Sequence, residues 1–487
     1  MKKIDPRFNF EEAKNSTRRQ FLETLGFGLG SIALGNLISS CGTNNSVGAG
    51  DFARISPQLG KAKSVIFMHM AGAPSQLELF DYKPILNKYD GTACPEELLE
   101  GKKFAFIQGI PKLLGGKANF KQHGQSGHWI SDYLPHLSTI SDKISFLKGL
   151  HTDQFNHAPA QLMMHTGSAR LGRPSMGSWV SYGLGSLNQN LPSYVVLASG
   201  GNNPDAGKSA WGSGFLPSIY QGVQCRSHGE PVLFIDNPNG MPRDLRGETI
   251  STINQYNQEL FNKIQDPEIL TRIDQYELAY KMQMSVPEVM NINDEPEDIH
   301  ELYGTSPGKE SFANNCLLAR KLVENGVRFV QLFDWGWDSH GTSADGSIDI
   351  GLKEKCNQVD RASTALILDL ERRGLLDETL VIWGGEFGRT PMQENRDGVQ
   401  LPFYGRDHHT DAFTMWMAGG GIKPGFSLGE TDELGYSVIS GKTSIYDFQA
   451  TVLACLGFNH EEFTYPFQGR NFRLTDVFGN VIEPIIS

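Results

Sequence analysis

Short runs of apolar and often β-branched residues recur along the chain, and most of them end at glycines or polar residues. Such runs are typical of buried strands, whereas apolar residues spaced three and four apart are typical of amphipathic helices. The predicted strands are residues 63–70, 144–147, 194–198, 329–333, 379–383 and 413–418, with a weaker edge strand at 232–235. The predicted helices are residues 160–165, 311–325, 352–373 and 445–456.

The order of these elements predicts the fold class. Strands and helices alternate between residues 61 and 487, which indicates one α/β domain with a mainly parallel sheet covered by helices on both faces. Residues 245–325 are predicted to be a helical insertion in that domain, and residues 85–130 to be irregular. Because ligands bind beyond the carboxyl ends of the strands in such sheets, the chemistry is expected in the loops there.

Composition excludes several classes of protein. The 487 residues are 39% hydrophobic and 20% charged, which is ordinary for a chain with a large core. A net charge of -12 and the lack of a Lys/Arg-rich run argue against a nucleic-acid binder. Five of the six cysteines follow Cys41 at irregular spacing, so neither a disulfide framework nor a zinc ribbon is expected.

The amino terminus carries two export signals in order. Arg18-Arg19 precedes a short, glycine-rich apolar stretch at 25–38 and resembles a twin-arginine signal. A segment resembling a bacterial lipobox then ends at Cys41, the expected site of lipidation. We therefore expect a signal peptide over 1–41, a flexible tether over 42–60, and a lipid-anchored protein on the periplasmic or cell-surface side of a bacterial membrane. The alternative is an amphiphilic terminus without a targeting role.

Three loops at predicted strand ends carry carboxylates and imidazoles. Asp338 and His340 follow one apolar run, Glu386 follows the next, and Asp407 and His408 lie on a loop bounded by glycine and proline. Alternate residues of an extended segment share a face, so Asp338 and His340 can reach one ion. Mixed carboxylate and imidazole donors suit zinc, manganese or iron better than calcium or magnesium. The pattern predicts a divalent metal site, with zinc or manganese as the ion.

Each of these loops also has an explanation without a metal. Asp338 can be a loop acid that is hydrogen-bonded to a neighbouring imidazole, and Glu386 can be the salt-bridge partner of Arg389. Residues 407–409 can be a polar turn. His157, at the start of a short helix, can be a cap or an orienting residue as well as a ligand.

Six motifs carry a family resemblance: GAPSQ at 72–76, FDYKP at 80–84, NH at 156–157, WDSH at 337–340, GEFGRTP at 385–391 and GRDH at 405–408. Together they resemble a bacterial family of exported proteins that has no assigned function and is placed in the alkaline phosphatase and sulfatase superfamily. The similarity extends from about residue 60 to 480. It implies a large α/β/α sandwich of the alkaline-phosphatase type with a metal site at the strand ends.

The resemblance also implies roles for single residues. Asp338 and His340 match superfamily metal ligands, and His408 stands where the superfamily has a late histidine ligand. Glu386 stands where the superfamily has an Asp-His pair. The loop that contains Asp81 lies where the first metal-binding aspartate is found.

Departures from the superfamily pattern narrow the choice of nucleophile. The C/S-x-P-x-R motif that is converted to formylglycine in sulfatases does not occur. Thr152 is the only hydroxyl in the segment that corresponds to the phosphatase nucleophile, so Thr152 or an activated water remains as nucleophile.

We therefore expect a metal-dependent hydrolase of phosphate or sulfate esters, acting on a small-molecule or glycan anionic ester. Arg389 or Arg406 is expected to pair bidentately with the anionic group, and His157 to take part in catalysis. The alternative is a cell-surface binding or assembly lipoprotein that has kept the fold and lost catalysis. The natural substrate and the oligomeric state stay open.

Overall fold

The computed structural model describes residues 60–232, 237, 241–396 and 398–487. The predicted signal peptide and nearly all of the predicted tether lie outside the described residues, as does most of the weak edge strand predicted at 232–235. In the described ranges, no helix combines the length and apolar character needed to cross a membrane.

Within the described ranges, a nine-stranded sheet forms the centre of the fold. Its strands are β1 (Ser64–Ala71), β2 (Ser145–His151), β3 (Tyr194–Ser199), β4 (Val223–Cys225), β5 (Phe329–Trp335), β6 (Thr379–Gly384), β7 (Phe413–Ala418), β8 (Ser427–Leu428) and β9 (Thr443–Ser444). The strand order is β8-β2-β7-β6-β1-β5-β3-β4, and β9 also pairs with β2. All neighbours are parallel except β7, which runs antiparallel to both β6 and β2.

Helices connect the strands. They are α1 (Gln76–Leu79), α2 (Pro84–Lys88), α3 (His157–Thr166), α4 (Met176–Leu184), α5 (Arg243–Ile264), α6 (Pro267–Val289), α7 (Glu297–Tyr303), α8 (Phe312–Glu324), α9 (Gly351–Arg372) and α10 (Ile445–Cys455). Turns of 3-10 helix lie at Glu96–Leu98, Leu137–Lys143, Gly207–Trp211, Ser218–Tyr220, Leu376–Glu378 and Glu483–Ile485.

In the part of the chain that the structure describes, five two-stranded ribbons lie outside the central sheet. They pair Phe120–His123 with His128–Ser131, Gly388–Arg389 with His408–His409, Asn395–Arg396 with Val399–Gln400, Glu430–Thr431 with Val438–Ser440, and Tyr465–Phe467 with Arg470–Phe472. The second of these ribbons joins two loops that the sequence singles out, because His408 pairs with Arg389.

Alternate residues of the central strand β1 face two separate apolar cores. Ile66 and Met68 belong to the core that includes α8 and α9. Val65 and Phe67 belong to the core that includes α3, α4 and α10. Both faces of the sheet are therefore covered by helices, which is why the central strands read as continuous apolar runs rather than as an alternating pattern.

The predicted fold class, α/β with a large and mostly parallel sheet, is confirmed. The central strands lie within one or two residues of their predicted bounds, but β2 continues to His151, four residues beyond its predicted end. The edge strand β4 is not predicted, because three residues are too few to show a period. Residues 85–130 are not wholly irregular, since they contain the strand Phe120–His123 and short helical turns.

Candidate metal centre

Two loops and one helix meet at the carboxyl edge of the parallel strands. Asp338 and His340 follow β5, and His157 begins α3 after β2. His408 precedes β7, and because β7 runs antiparallel, its amino-terminal end lies at the same edge. The antiparallel direction of this one strand thus brings His408 to the other three residues.

Four donor atoms converge on one point. Oδ1 of Asp338 lies 3.2 Å from Nε2 of His157, 2.8 Å from Nε2 of His340 and 3.3 Å from Nε2 of His408. The Nε2 atoms of His340 and His408 are 3.1 Å apart. We call these four residues the His/Asp cluster; one ligand atom from each lies within 4.8 Å of all the others.

The other ring nitrogen of each histidine is already occupied. Nδ1 of His157 lies 2.7 Å from Oε1 of Glu386, Nδ1 of His340 contacts Oε2 of Glu394, and Nδ1 of His408 lies 2.6 Å from the carbonyl oxygen of Phe155. An oxygen acceptor at Nδ1 requires the N–H on that side, so Nε2 of a neutral ring carries the lone pair. Three lone pairs then point at one carboxylate oxygen.

The residues fit a divalent cation. Nε2 of His157 is buried and has no hydrogen-bond partner among the described residues, although it faces a carboxylate. Two imidazole lone pairs 3.1 Å apart repel each other unless a proton or a cation lies between them. Ligands about 2 Å from a tetrahedral ion lie roughly 3.3 Å from one another, which matches the observed separations. Three imidazoles held through Nδ1 by oxygen acceptors are the usual surroundings of a bound metal.

Close backbone packing brings the loops together, and it depends on two glycines. Gly72 has a φ of 112°, and a Cβ there would lie 2.5 Å from the backbone nitrogen of Asp338. A Cβ at Gly405 would lie 1.9 Å from the carbonyl carbon of His340. Any larger residue at either position would push a loop that carries a cluster residue out of place.

Charges in and around the cluster favour an ionised carboxylate. Burial alone would raise the pKa of Asp338, but the Arg389 guanidinium and the three imidazoles that face this carboxylate hold it well below its usual range. Burial alone would lower the pKa of His157, yet the nearby carboxylate of Asp338 and the contact of Nδ1 with Glu386 raise it to about 9. Burial lowers the pKa of His408 to about 4.

Glu386 is not a member of the His/Asp cluster but contacts one of its residues, His157. Its Oε1 accepts hydrogen bonds from the backbone N–H of Gly72 at 3.1 Å and from Nε2 of Gln161 at 3.0 Å, in addition to contacting His157. Its Oε2 lies 3.2 Å from Nε2 of the buried His69. The carboxylate therefore orients His157, whereas the sequence pattern predicts it as a metal ligand.

The two predicted anion-binding arginines are fully buried and donate to the protein. Arg389 donates to the carbonyl oxygens of Gly72 and Ala73 and contacts Oδ1 of Asp338. The Nε and Nη2 atoms of Arg406 donate to the carboxylate of Glu78, and its remaining donors reach the carbonyl oxygens of Leu114, Gly115 and Thr390. The structure thus gives both guanidinium groups a framework role around the site.

Three other predicted residues lie outside the His/Asp cluster. Asp81 pairs with Lys83 and accepts a hydrogen bond from Thr431. Asp407 accepts backbone N–H groups, including that of His408 at 2.7 Å, and its carboxylate also approaches His340 and Glu394. The hydroxyl oxygen of Thr152 accepts a hydrogen bond from the N–H of Gln154 at 3.3 Å.

The sequence patterns above do not identify two buried residues of the site, Glu394 and His69. Glu394 holds His340 from a position 54 residues away in the chain, and His69 occupies a core position in the apolar strand β1. The imidazole of His69 packs against the imidazole of His165 and the ring of Phe333. A histidine in an otherwise apolar strand is the one hint available, because burying it without a partner is costly.

Residues 62–486 match the family described as "Protein of unknown function (DUF1501)". The chain belongs to this family. The match covers almost the whole of the described chain, in agreement with the resemblance that the motifs carry. No curated protein matches the chain in sequence.

Several solved structures are similar over most of the chain. A sulfatase from Pseudoalteromonas sp. is 12% identical, with a TM-score of 0.37 over 82% of this chain and 68% of its own. The alkaline phosphatase of the Antarctic bacterium TAB5 is 11% identical, with a TM-score of 0.33 over 82% of this chain and 100% of its own. A phosphonate monoester hydrolase from Silicibacter pomeroyi is 12% identical, with a TM-score of 0.31 over 82% of this chain and 73% of its own.

Proposed function

We propose that the chain is a metal-dependent hydrolase of phosphate or sulfate esters. The observation that carries the proposal is the convergence of three imidazole Nε2 atoms on Oδ1 of Asp338 at the carboxyl edge of the sheet, where α/β proteins bind ligands. The motif resemblance to the alkaline phosphatase and sulfatase superfamily supports this class of ester. The mixed carboxylate and imidazole donors favour zinc or manganese as the cation.

The His/Asp cluster would hold the cation, which supplies a Lewis acid that polarises an ester group. The side chain of Asp338 is 37% exposed, whereas those of His340 and His408 are almost fully buried, so substrate approaches from the side of Asp338. Arg389 keeps this carboxylate ionised and in place. Because its pKa is so low, Asp338 is suited to bind a cation and poorly suited to take a proton.

Neighbouring residues hold and shield the imidazoles. Glu386 and Glu394 keep a proton on Nδ1 of His157 and His340, which leaves Nε2 free to ligate. The ring of Phe106 lies edge-on to His340 and His408, with centroid distances of 4.8 and 5.8 Å. This ring excludes water from one side of the imidazoles and strengthens electrostatic interactions there.

The location is part of the same proposal. Export by the twin-arginine route with a lipid anchor at Cys41 would place the hydrolase on the periplasmic or cell-surface side of a bacterial membrane, where it meets small-molecule or glycan esters.

The test combines metal analysis with turnover. Purified protein should contain close to one equivalent of zinc or manganese and should hydrolyse 4-nitrophenyl phosphate or 4-nitrophenyl sulfate. Activity should disappear with chelation and return with the metal. Full metal content without turnover of either ester class would favour the alternative, a lipoprotein that binds a partner or ligand without catalysis.

A further inference from the structure

We propose that the cavity beside the His/Asp cluster is a carbohydrate subsite, which takes the uncharged, hydroxyl-bearing ring of the alcohol half of the ester. The cavity has a volume of about 540 Å³, lies between the end of β5 and the start of α9, and is lined in part by Asp338. That volume accommodates a sugar ring or two. The inference rests on the proposed hydrolase function for the position of the ester group, which would lie at Asp338.

An exposed indole forms one wall of this cavity. Trp335 is 38% exposed, whereas the other six tryptophans of the chain are buried or half-buried. It is the last residue of β5, and Gly336, with a φ of 108°, turns the chain so that Trp335 and Asp338 line the same space. A large apolar face left open beside a polar site suits stacking against the C–H face of a ring.

The rest of the lining is polar. Thr342 and Ser343 offer hydroxyls, Gln358 an amide, and Asp345 and Glu354 carboxylates. Within the described part of the chain, the carboxylate of Asp345 has no hydrogen-bond or ion-pair partner, so it is free to accept hydrogen bonds from a ligand. The hydroxyls of a sugar both donate and accept, and they match this mixture of groups.

Charge in the cavity selects against a second anionic group. Among the described residues, the one cation of the lining is Lys355, which is paired with Asp334 at 2.7 Å. The remaining charged groups, Asp338, Asp345 and Glu354, are all acidic. A nucleotide or a densely sulfated chain would bring further negative charge against these carboxylates and would be repelled. A neutral saccharide ring satisfies the stacking face, the polar groups and the charge together.

The experiment measures binding rather than turnover. Methyl hexopyranosides and neutral trisaccharides are titrated against the metal-loaded protein, and binding is followed by saturation-transfer NMR. Wild-type protein should bind at least one neutral saccharide. Trp335→Ala should weaken that binding by about tenfold or more, and Trp335→Phe, which keeps an aromatic face, should weaken it by no more than about threefold. Tyr256→Ala removes a 68% exposed aromatic of α5 away from the cavity and should change nothing.

The outcomes separate this inference from the hydrolase proposal. Failure of every saccharide to bind, or equal binding by Trp335→Ala and the wild type, would overturn the carbohydrate subsite even if aryl esters are hydrolysed. Trp335-dependent binding without turnover of any ester would support the subsite and count against the hydrolase.

Discussion

Among the described residues, the carboxylate of Glu386 reaches the His/Asp cluster only through the imidazole of His157, with Oε1 lying 2.7 Å from Nδ1. The same carboxylate is held from behind by His69 and Gln161, both of which are fully buried. Glu386 therefore fixes which nitrogen of His157 faces the other donors, and the neighbours of Glu386 fix the carboxylate. The residues that set the orientation of His157 therefore lie in the core, where substrate does not contact them.

The first prediction concerns this carboxylate. Glu386→Gln should weaken metal binding about 10- to 100-fold, because an amide orients His157 less firmly than a carboxylate does. Metal affinity is measured by competition with a chelating dye at pH 7.5. Asp338→Asn serves as the matched ligand variant and should lose more affinity than Glu386→Gln. Equal losses in the two variants would mean that Glu386 is itself a ligand.

The second prediction uses two adjacent histidines. His408→Ala should abolish stoichiometric metal binding, since its Nε2 belongs to the cluster. His409→Ala should retain the metal, because its Nε2 lies 2.6 Å from the carbonyl oxygen of Tyr436 instead. Metal content after gel filtration is the readout, and thermal unfolding of both variants checks that each is folded. Retention of metal by His408→Ala would contradict the assignment of the site.

The ends of apolar runs predict much of this site. Asp338 and His340 appear in the sequence as polar residues just after a buried strand, and His408 as a polar residue shortly before another. Their meeting follows once the strands share a sheet. The antiparallel direction of β7 brings His408 to the shared edge. The pattern of apolar residues does not predict this direction.

The finer arrangement cannot be read from the sequence. Whether Glu386 binds an ion or the far side of an imidazole depends on the detailed backbone path of its loop, which strand periodicity does not determine. The contact of Glu394 with His340 joins loops far apart in the chain. Arg389 and Arg406 look like anion-binding groups because arginines are usually exposed, and only the structure shows their donors engaged by buried acceptors.

The third prediction concerns pH. The folded-state pKa of His157 is raised to about 9 in the metal-free protein, above its unfolded value near 6.5. The stability that this proton contributes is fully present below about pH 6.5 and is lost as the pH rises through about 9. Urea unfolding of chelator-treated protein between pH 6.5 and 9.5 should show this fall, and the fall should be shallower in His157→Gln. Metal affinity should rise over the same window, because the metal and the proton compete for Nε2. A flat stability profile would contradict the coupling of His157 to Asp338 and Glu386.

The fourth prediction concerns export. Replacing both Arg18 and Arg19 with lysine should block translocation, because the twin-arginine signal requires the pair. Cys41→Ser should leave the protein exported but without its lipid. Fractionation of cells expressing each variant is the measurement, with metabolic labelling by a radioactive fatty acid as a second readout. Unchanged membrane association and labelling of Cys41→Ser would rule out the lipid anchor.

The last prediction concerns the nucleophile. Thr152 lies at the end of β2, its N–H donates to the carbonyl oxygen of Thr410 at 2.9 Å, and its hydroxyl oxygen accepts from Gln154. The hydroxyl contact stays within the loop of Thr152 itself, and neither bond is made to a residue of the His/Asp cluster. A side-chain nucleophile needs to reach the reacting atom. Thr152→Ala should therefore keep activity on 4-nitrophenyl esters within about threefold of the wild type, while Asp338→Ala should lose about 100-fold or more. Thr152→Ser distinguishes the two possibilities further, because a hydroxyl nucleophile would survive that change and fail only in Thr152→Ala. If Thr152→Ala is inactive with its metal retained and Thr152→Ser is active, the hydroxyl rather than water attacks the ester.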